Sequence, residues 1–191
     1  MTRILLTAFE PYDRWKENAS WLALVDFTSW YEGEHDITTR RYPVDYQKLK
    51  GLLREDIADD FDFAIHLGQA PGSTLILLEA VGLNLRNNGE PLLVDAPAAY
   101  RSNLDLIRGQ ERLTAAGIPS VVSHHAGTYL CNAALYLSLH YSHEMGRRTE
   151  SVFVHLPLTP AQVASDGSNL ASMSTPMQSA AIALLIDELT N

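Results

Sequence analysis

Cys131 is the single cysteine of the chain, and it lies in the run Ala126-Gly127-Thr128-Tyr129-Leu130-Cys131-Asn132. A small, glycine-bearing turn there leads into a long apolar stretch with helical spacing. This puts a lone thiol in or beside the first turn of a helix. Unpaired amide N–H groups and the positive end of the helix dipole favour a thiolate in such a place, and the thiolate is the form that attacks carbonyls. The competing reading is a buried, inert thiol, because cysteine packs like a small hydrophobe.

A cysteine nucleophile needs a base, and the base needs a group to orient its ring. His155 ends the apolar run Val152-Phe153-Val154 just before Leu156-Pro157, where it either faces a neighbouring helix start or is a structural histidine. Glu79 sits inside Leu75-Ile76-Leu77-Leu78-Glu79-Ala80-Val81. A carboxylate in such a run either faces solvent or is paired, since burying it alone is costly. Paired with His155, it would hold one tautomer and favour the imidazolium. The three residues are far apart in sequence, so only the fold can bring them together.

The elements that must position them alternate between short β-rich runs and longer helical ones. Strands are predicted over 3–7, 36–42, 61–67, 118–123 and 151–156, with a long extended segment over 74–85. Gly68 is read as a strand break. Helices are predicted over 21–30 (capped by Asn18 or Ser20), 46–57, 102–116 (ending at Gly117), 128–145 (stopped by Gly146) and from about Thr175, with Pro176 in its first turn. Residues 166–175 read as a loop. Such alternation implies an α/β layered fold, an α/β/α sandwich around a twisted, mostly parallel sheet. Active groups in such folds gather in loops beyond strand ends. There is no internal repeat or linker, so one domain over 1–191 is expected.

Composition narrows the function. Hydrophobic residues make up 46% and charged residues 19%, which suits a globular domain. A net charge of −9 argues against a nucleic-acid partner or an anionic membrane surface. One cysteine forms no intrachain disulfide, the N-terminal apolar run is too short for a signal peptide, and no stretch approaches the ~20 apolar residues that span a bilayer. A cytoplasmic location is expected. Of the seven histidines, only His124-His125 and His140-x-x-His143-Glu144 cluster. Neither has a known zinc spacing, so no metal is assigned. The run Gly68-Gln69-Ala70-Pro71-Gly72 is neither a dinucleotide fingerprint nor a phosphate loop.

Collinear blocks along nearly the whole chain resemble the pyroglutamyl peptidase I family of cysteine peptidases. Ile4 to Tyr12 resembles the family's opening strand and its Gly-Phe-Glu-Pro-Phe loop, with Asn18 matching an asparagine shortly after. Tyr42-Pro43-Val44 and Leu67-Gly68-Gln69-Ala70 resemble a Leu-Pro-Val strand end and a Val-Gly-Gln-Ala turn. Leu78 to Asn84 resembles the segment with the catalytic glutamate. Ser123 to Asn132 resembles a Ser-x-x-Ala-Gly-x-x-x-Cys-Asn box, and Phe153 to Pro157 a Phe-Ile-His-Val-Pro block. Ala171-Ser172-Met173 echoes a Pro-Ser-Met.

The resemblance implies a Cys131, His155 and Glu79 triad, no metal or organic cofactor, a homo-oligomer (dimer or tetramer), and removal of an N-terminal pyroglutamyl residue from small peptides through a thioester. It also implies that Phe9, Tyr12, Tyr129 and Leu130 line a pocket for the lactam ring. Main-chain groups at Gln69 would pair with the lactam, and Asn18 would help hold the site. The chain departs from the family at Ala8, at Tyr12-Asp13-Arg14 (for Phe-Gly-Gly), at Pro71-Gly72-Ser73, at Ala80 and at Leu85 to Gly89. Two lost glycines should stiffen the opening loop and alter its path, and lost arginines remove supporting charge. The alternatives are therefore a weak or silent homologue on the same scaffold, or a related amide hydrolase with a changed substrate preference.

Overall fold

Three strands carry almost unbroken apolar burial because both their faces are covered: β1 (Arg3–Phe9), β3 (Phe63–Gln69) and β8 (Glu150–Leu156). They form the middle of a six-stranded sheet in a computed structural model that describes residues 1–190. Around them lie β2 (Asp36–Tyr42), β4 (Ile76–Glu79) and β7 (Ser120–Ser123), in the order β2-β1-β3-β8-β4-β7. All pairings in this sheet are parallel except β4 with β8. Only Ala70 to Leu75 separate β3 from β4, too few residues for a parallel crossover. β4 therefore runs back, and β8 fills the gap between the two strands.

Alternation along the strands feeds two cores. Ile4, Leu6, Ile65, Leu67, Ile76, Leu78, Val152 and Val154 face the side covered by α1 (Ala19–Trp30), α3 (Leu106–Ala115) and α6 (Thr175–Leu189). Leu5, Phe9, Ala64 and Phe153 face α2 (Tyr46–Ala58) and α4 (Leu130–Glu144). The result is the expected three-layer α/β/α sandwich with a mostly parallel sheet.

The caps follow sequence logic. Asn18 caps α1 by accepting from Ser20 N at 3.0 Å, and Asp45 caps α2 through Gln47 N and Lys48 N, each at 2.9 Å. Gly117 and Gly146 lie just past α3 and α4 with φ of +74° and +63°.

Several expectations need correction. Gly68 does not break a strand but lies within β3. A Cβ built there would meet the Phe153 ring at 2.5 Å and the Cys131 sulfur at 3.2 Å, so this glycine permits a close approach. The extended segment over 74–85 is two strands. The chain leaves the large sheet at Ala80, and β5 (Val81–Leu83) pairs antiparallel with β6 (Ala99–Arg101), which the sequence reading lacked. The helix expected from 102 starts at Leu106 under the Asp105 cap. Another short helix, α5 (Pro160–Asp166), also went unread. It carries a full capping box between Thr159 and Gln162.

Candidate active site

α4 brings Cys131 to the end of the sheet. Tyr129 occupies its N-cap position but gives no side-chain hydrogen bond, and the first amide bonded back along the helix is Ala133 N to Tyr129 O at 3.0 Å. Earlier amides around Cys131 are thus open to a negative group. Asn132, fully buried beside the thiol, holds this helix start in place. Its amide accepts from Leu83 N (2.8 Å) and donates to Leu83 O (2.9 Å) and Leu85 O (3.0 Å). Gly82 allows the close contact of β5 with α4, since a Cβ there would lie 2.6 Å from Tyr136 N.

Strand register supplies the other two groups. Leu77 pairs with His155 and Glu79 with Phe153 across the antiparallel step. Glu79 therefore lies diagonally from His155 on the same face, within reach of a long side chain. The His155 Nδ1–H donates to Glu79 Oε1 at 2.8 Å, and Glu79 is wholly buried. Nδ1 is thereby committed, leaving Nε2 for the thiol.

Burial opposes a charged imidazole at His155. It is outweighed by the negative charge and hydrogen bond of Cys131 and by the hydrogen bond and charge of Glu79, so the His155 pKa is pushed up to about 10. The other Glu79 oxygen, Oε2, is buried with no hydrogen-bond partner among the described residues.

These groups open onto a cavity of about 300 Å³. All nine residues singled out from the sequence line it: Cys131, His155 and Glu79, together with Phe9, Tyr12, Asn18, Gln69, Tyr129 and Leu130. Asn18 serves by holding the opening loop, its amide donating to Glu10 O at 3.0 Å. The Tyr12 hydroxyl donates to the Gln69 carbonyl at 3.4 Å. Burial, then the charge of Cys131, pushes its pKa up to about 12. The lining is mainly apolar and aromatic with few polar groups, as small neutral ligands require. Leu77 and His125 also line it and were not anticipated. Leu77 was hidden by the unread antiparallel turn. His125, whose Nδ1 accepts from Gly127 N at 3.1 Å, had been read only as half of a histidine pair.

The opening loop has one left-handed residue. Asp13 takes a left-handed φ of +54°, a conformation that aspartate tolerates better than most residues. Ala8 is fully buried inside β1, where extended backbone needs no glycine. Of the histidine clusters, His140 stacks on Tyr136 at 5.9 Å and its Nδ1 lies 3.2 Å from the Tyr100 hydroxyl.

The sequence pattern that defines the pyroglutamyl peptidase family matches residues 2–190. The pyrrolidone-carboxylate peptidase of Pyrococcus furiosus is 35% identical over 173 residues, covering 84% of this chain and 83% of that protein. The protein of the same name from Clavibacter michiganensis is 37% identical over 171 residues, covering 82% and 79%. Among solved structures, pyrrolidone carboxyl peptidase from Thermococcus litoralis superposes with a TM-score of 0.91 at 29% identity, covering 100% of this chain and 94% of that one.

Proposed function

The chain belongs to the pyroglutamyl peptidase family, and we propose that it removes N-terminal pyroglutamyl residues from peptides as a cysteine peptidase. The observation that carries this reading is the Glu79–His155 hydrogen bond at the wall of an apolar cavity that a helix-start thiol also lines.

The pyroglutamyl ring is small, flat and neutral, and it fits between Phe9, Tyr12 and Tyr129. Cys131 Sγ, its proton held by His155, attacks the pyroglutamyl carbonyl carbon. The developing oxyanion is met by open amides of the α4 start. The C–N bond breaks as the imidazolium gives its proton to the leaving amine, which leaves a thioester on Cys131. Water, deprotonated by the now neutral His155, attacks the thioester. The C–S bond breaks and free pyroglutamate departs. Glu79 keeps the ring oriented and supports its positive form throughout.

Two cores against the faces of one sheet support a single peptidase-like domain. No helix among the described residues is long and apolar enough to cross a membrane. A cytoplasmic homo-oligomer acting on small peptides is the working picture.

Hydrolysis of a pyroglutamyl chromogenic amide, set beside amides of other N-terminal residues, tests the reading. Selective turnover that Cys131→Ser abolishes is expected. Near-native turnover by that variant refutes the covalent route. Iodoacetamide separates a silent homologue from an enzyme, because a reactive Cys131 is alkylated well below pH 8 and an inert one is not.

A further inference from the structure

We propose that Gln162, on α5, is a positioning residue that fixes the side-chain orientation of Gln69 and the seat of the opening loop, and through them the fit of the lactam ring. The proposal rests on the pyroglutamyl reading above. Gln162 does not line the cavity, so it acts through neighbours.

Its orientation is dictated from the outside. The Gln162 Oε1 accepts from Thr159 N at 2.8 Å and from Thr159 Oγ1 at 3.2 Å, the outward half of the α5 capping box. The Nε2 group must then point inward. There it donates to Glu17 O at 2.9 Å and to Gln69 Oε1 at 2.6 Å.

Gln69 Oε1 also accepts from Ala19 N at 2.8 Å. A reversed Gln69 would set its NH2 against two donors, so Gln162 and Ala19 together allow one orientation only. Gln69 is 4% exposed and Gln162 8% exposed, so water does not compete for these bonds and losing one costs more than at a surface.

The loop held this way is the one that shapes the cavity. Glu17, whose carbonyl Gln162 grips, precedes Asn18, and the same loop carries Tyr12, which meets the Gln69 carbonyl. A second tie, Arg14 to Asp166 at 3.3 Å, also joins loop to α5, but its arginine is over half exposed and such pairs contribute little. The buried amide relay is therefore the tie that counts. A short helix that touches no substrate thus sets the wall of the ring pocket.

The test compares wild type with Gln162→Leu, Gln69→Leu and the double variant. It measures kcat and KM for a pyroglutamyl amide and the inhibition constant of 2-pyrrolidinone, the bare lactam. Gln162→Leu is expected to raise KM and the lactam constant about tenfold while kcat stays within about twofold, the signature of lost ground-state fit. In the double variant Gln162→Leu is expected to add less than it does in the wild type, because the part that runs through Gln69 is already lost and only the Glu17 tie remains to be removed.

Three results overturn the proposal: a lower melting temperature with unchanged KM and lactam constant, effects that multiply in the double variant, or a fall in kcat at constant KM. If Gln162→Leu does not fold, Gln162→Glu carries the same test. It keeps shape and the acceptor toward Thr159 but loses both inward donors. A wild type that neither cleaves pyroglutamyl amides nor binds the lactam refutes the parent reading, and this one with it. An active wild type whose variants show no lactam shift refutes this one alone.

Discussion

Gly68→Ala should nearly silence the enzyme without unfolding it. The added methyl would sit 2.5 Å from the Phe153 ring and 3.2 Å from the Cys131 sulfur. Carbon–carbon contact is comfortable at about 3.5–4.0 Å, so the Phe153 ring must retreat by about 1 Å and the sulfur must give by a few tenths of an ångström. Phe153 has little room. It is fully buried, with Phe9 at 6.3 Å and His155 at 4.8 Å between ring centroids.

A displaced Phe153 presses on His155, and with the sulfur pushed as well, thiol and imidazole separate or tilt. A misplacement of about 1 Å costs on the order of a hundredfold in rate, while overpacking costs about 1–3 kcal/mol of stability. The assay is kcat/KM on a pyroglutamyl amide beside urea unfolding of the same sample. A folded Gly68→Ala protein with kcat/KM within about threefold of wild type would refute the claim that Gly68 exists to let the thiol close on the sheet.

Three other outcomes are expected. Asn132→Ala removes three hydrogen bonds between α4 and the β5 segment and should destabilise the fold by about 2–4 kcal/mol in urea titration; a loss below about 1 kcal/mol would mean that packing alone seats the helix. His66 is wholly buried, with Nδ1 2.8 Å from the Thr7 hydroxyl, and burial lowers its pKa to about 3. Below the unfolded value near 6.5 the unfolded chain binds the extra proton, so stability should fall with pH by up to about 1.4 kcal/mol per unit down to about pH 3; a His66→Leu protein with the same acid slope would contradict this. His155 runs the other way. Its raised pKa supports stability fully below about pH 6.5, and that support fades as pH rises toward about 10. Activity that needs the imidazolium should fall over the basic end of that range, and Glu79→Gln should shift the fall to lower pH; an unmoved basic limb in the pH–rate profile would detach Glu79 from His155.

The sequence was legible wherever a residue's local surroundings decide its structure. The apolar runs of β1, β3 and β8, the Asn18 cap and the stop at Gly146 all depend on near neighbours. Cys131, His155 and Glu79 could be named because each residue type is out of place in its stretch. Their meeting could not be read from spacing, since it depends on β4 running antiparallel to β8, a choice forced by the short loop after β3. Gly68 looked like a breaker because glycine ends strands and also marks close approaches, and only tertiary contact separates the two. β6 and α5 are too short for periodicity to speak. With α5 went Gln162, whose role rests on partners in distant segments.

The sheet order also bears on how the protein comes into being. β8 lies between β3 and β4 yet is the last strand to be synthesised. Until it arrives, β3 and β4 each present a bare hydrogen-bonding edge, the kind of surface on which chains stick to one another. His155 rides in on that same strand. A nascent chain is therefore vulnerable and inert together, and the step that closes the sheet also switches on cleavage, so this peptidase cannot act on anything before its own folding is all but finished.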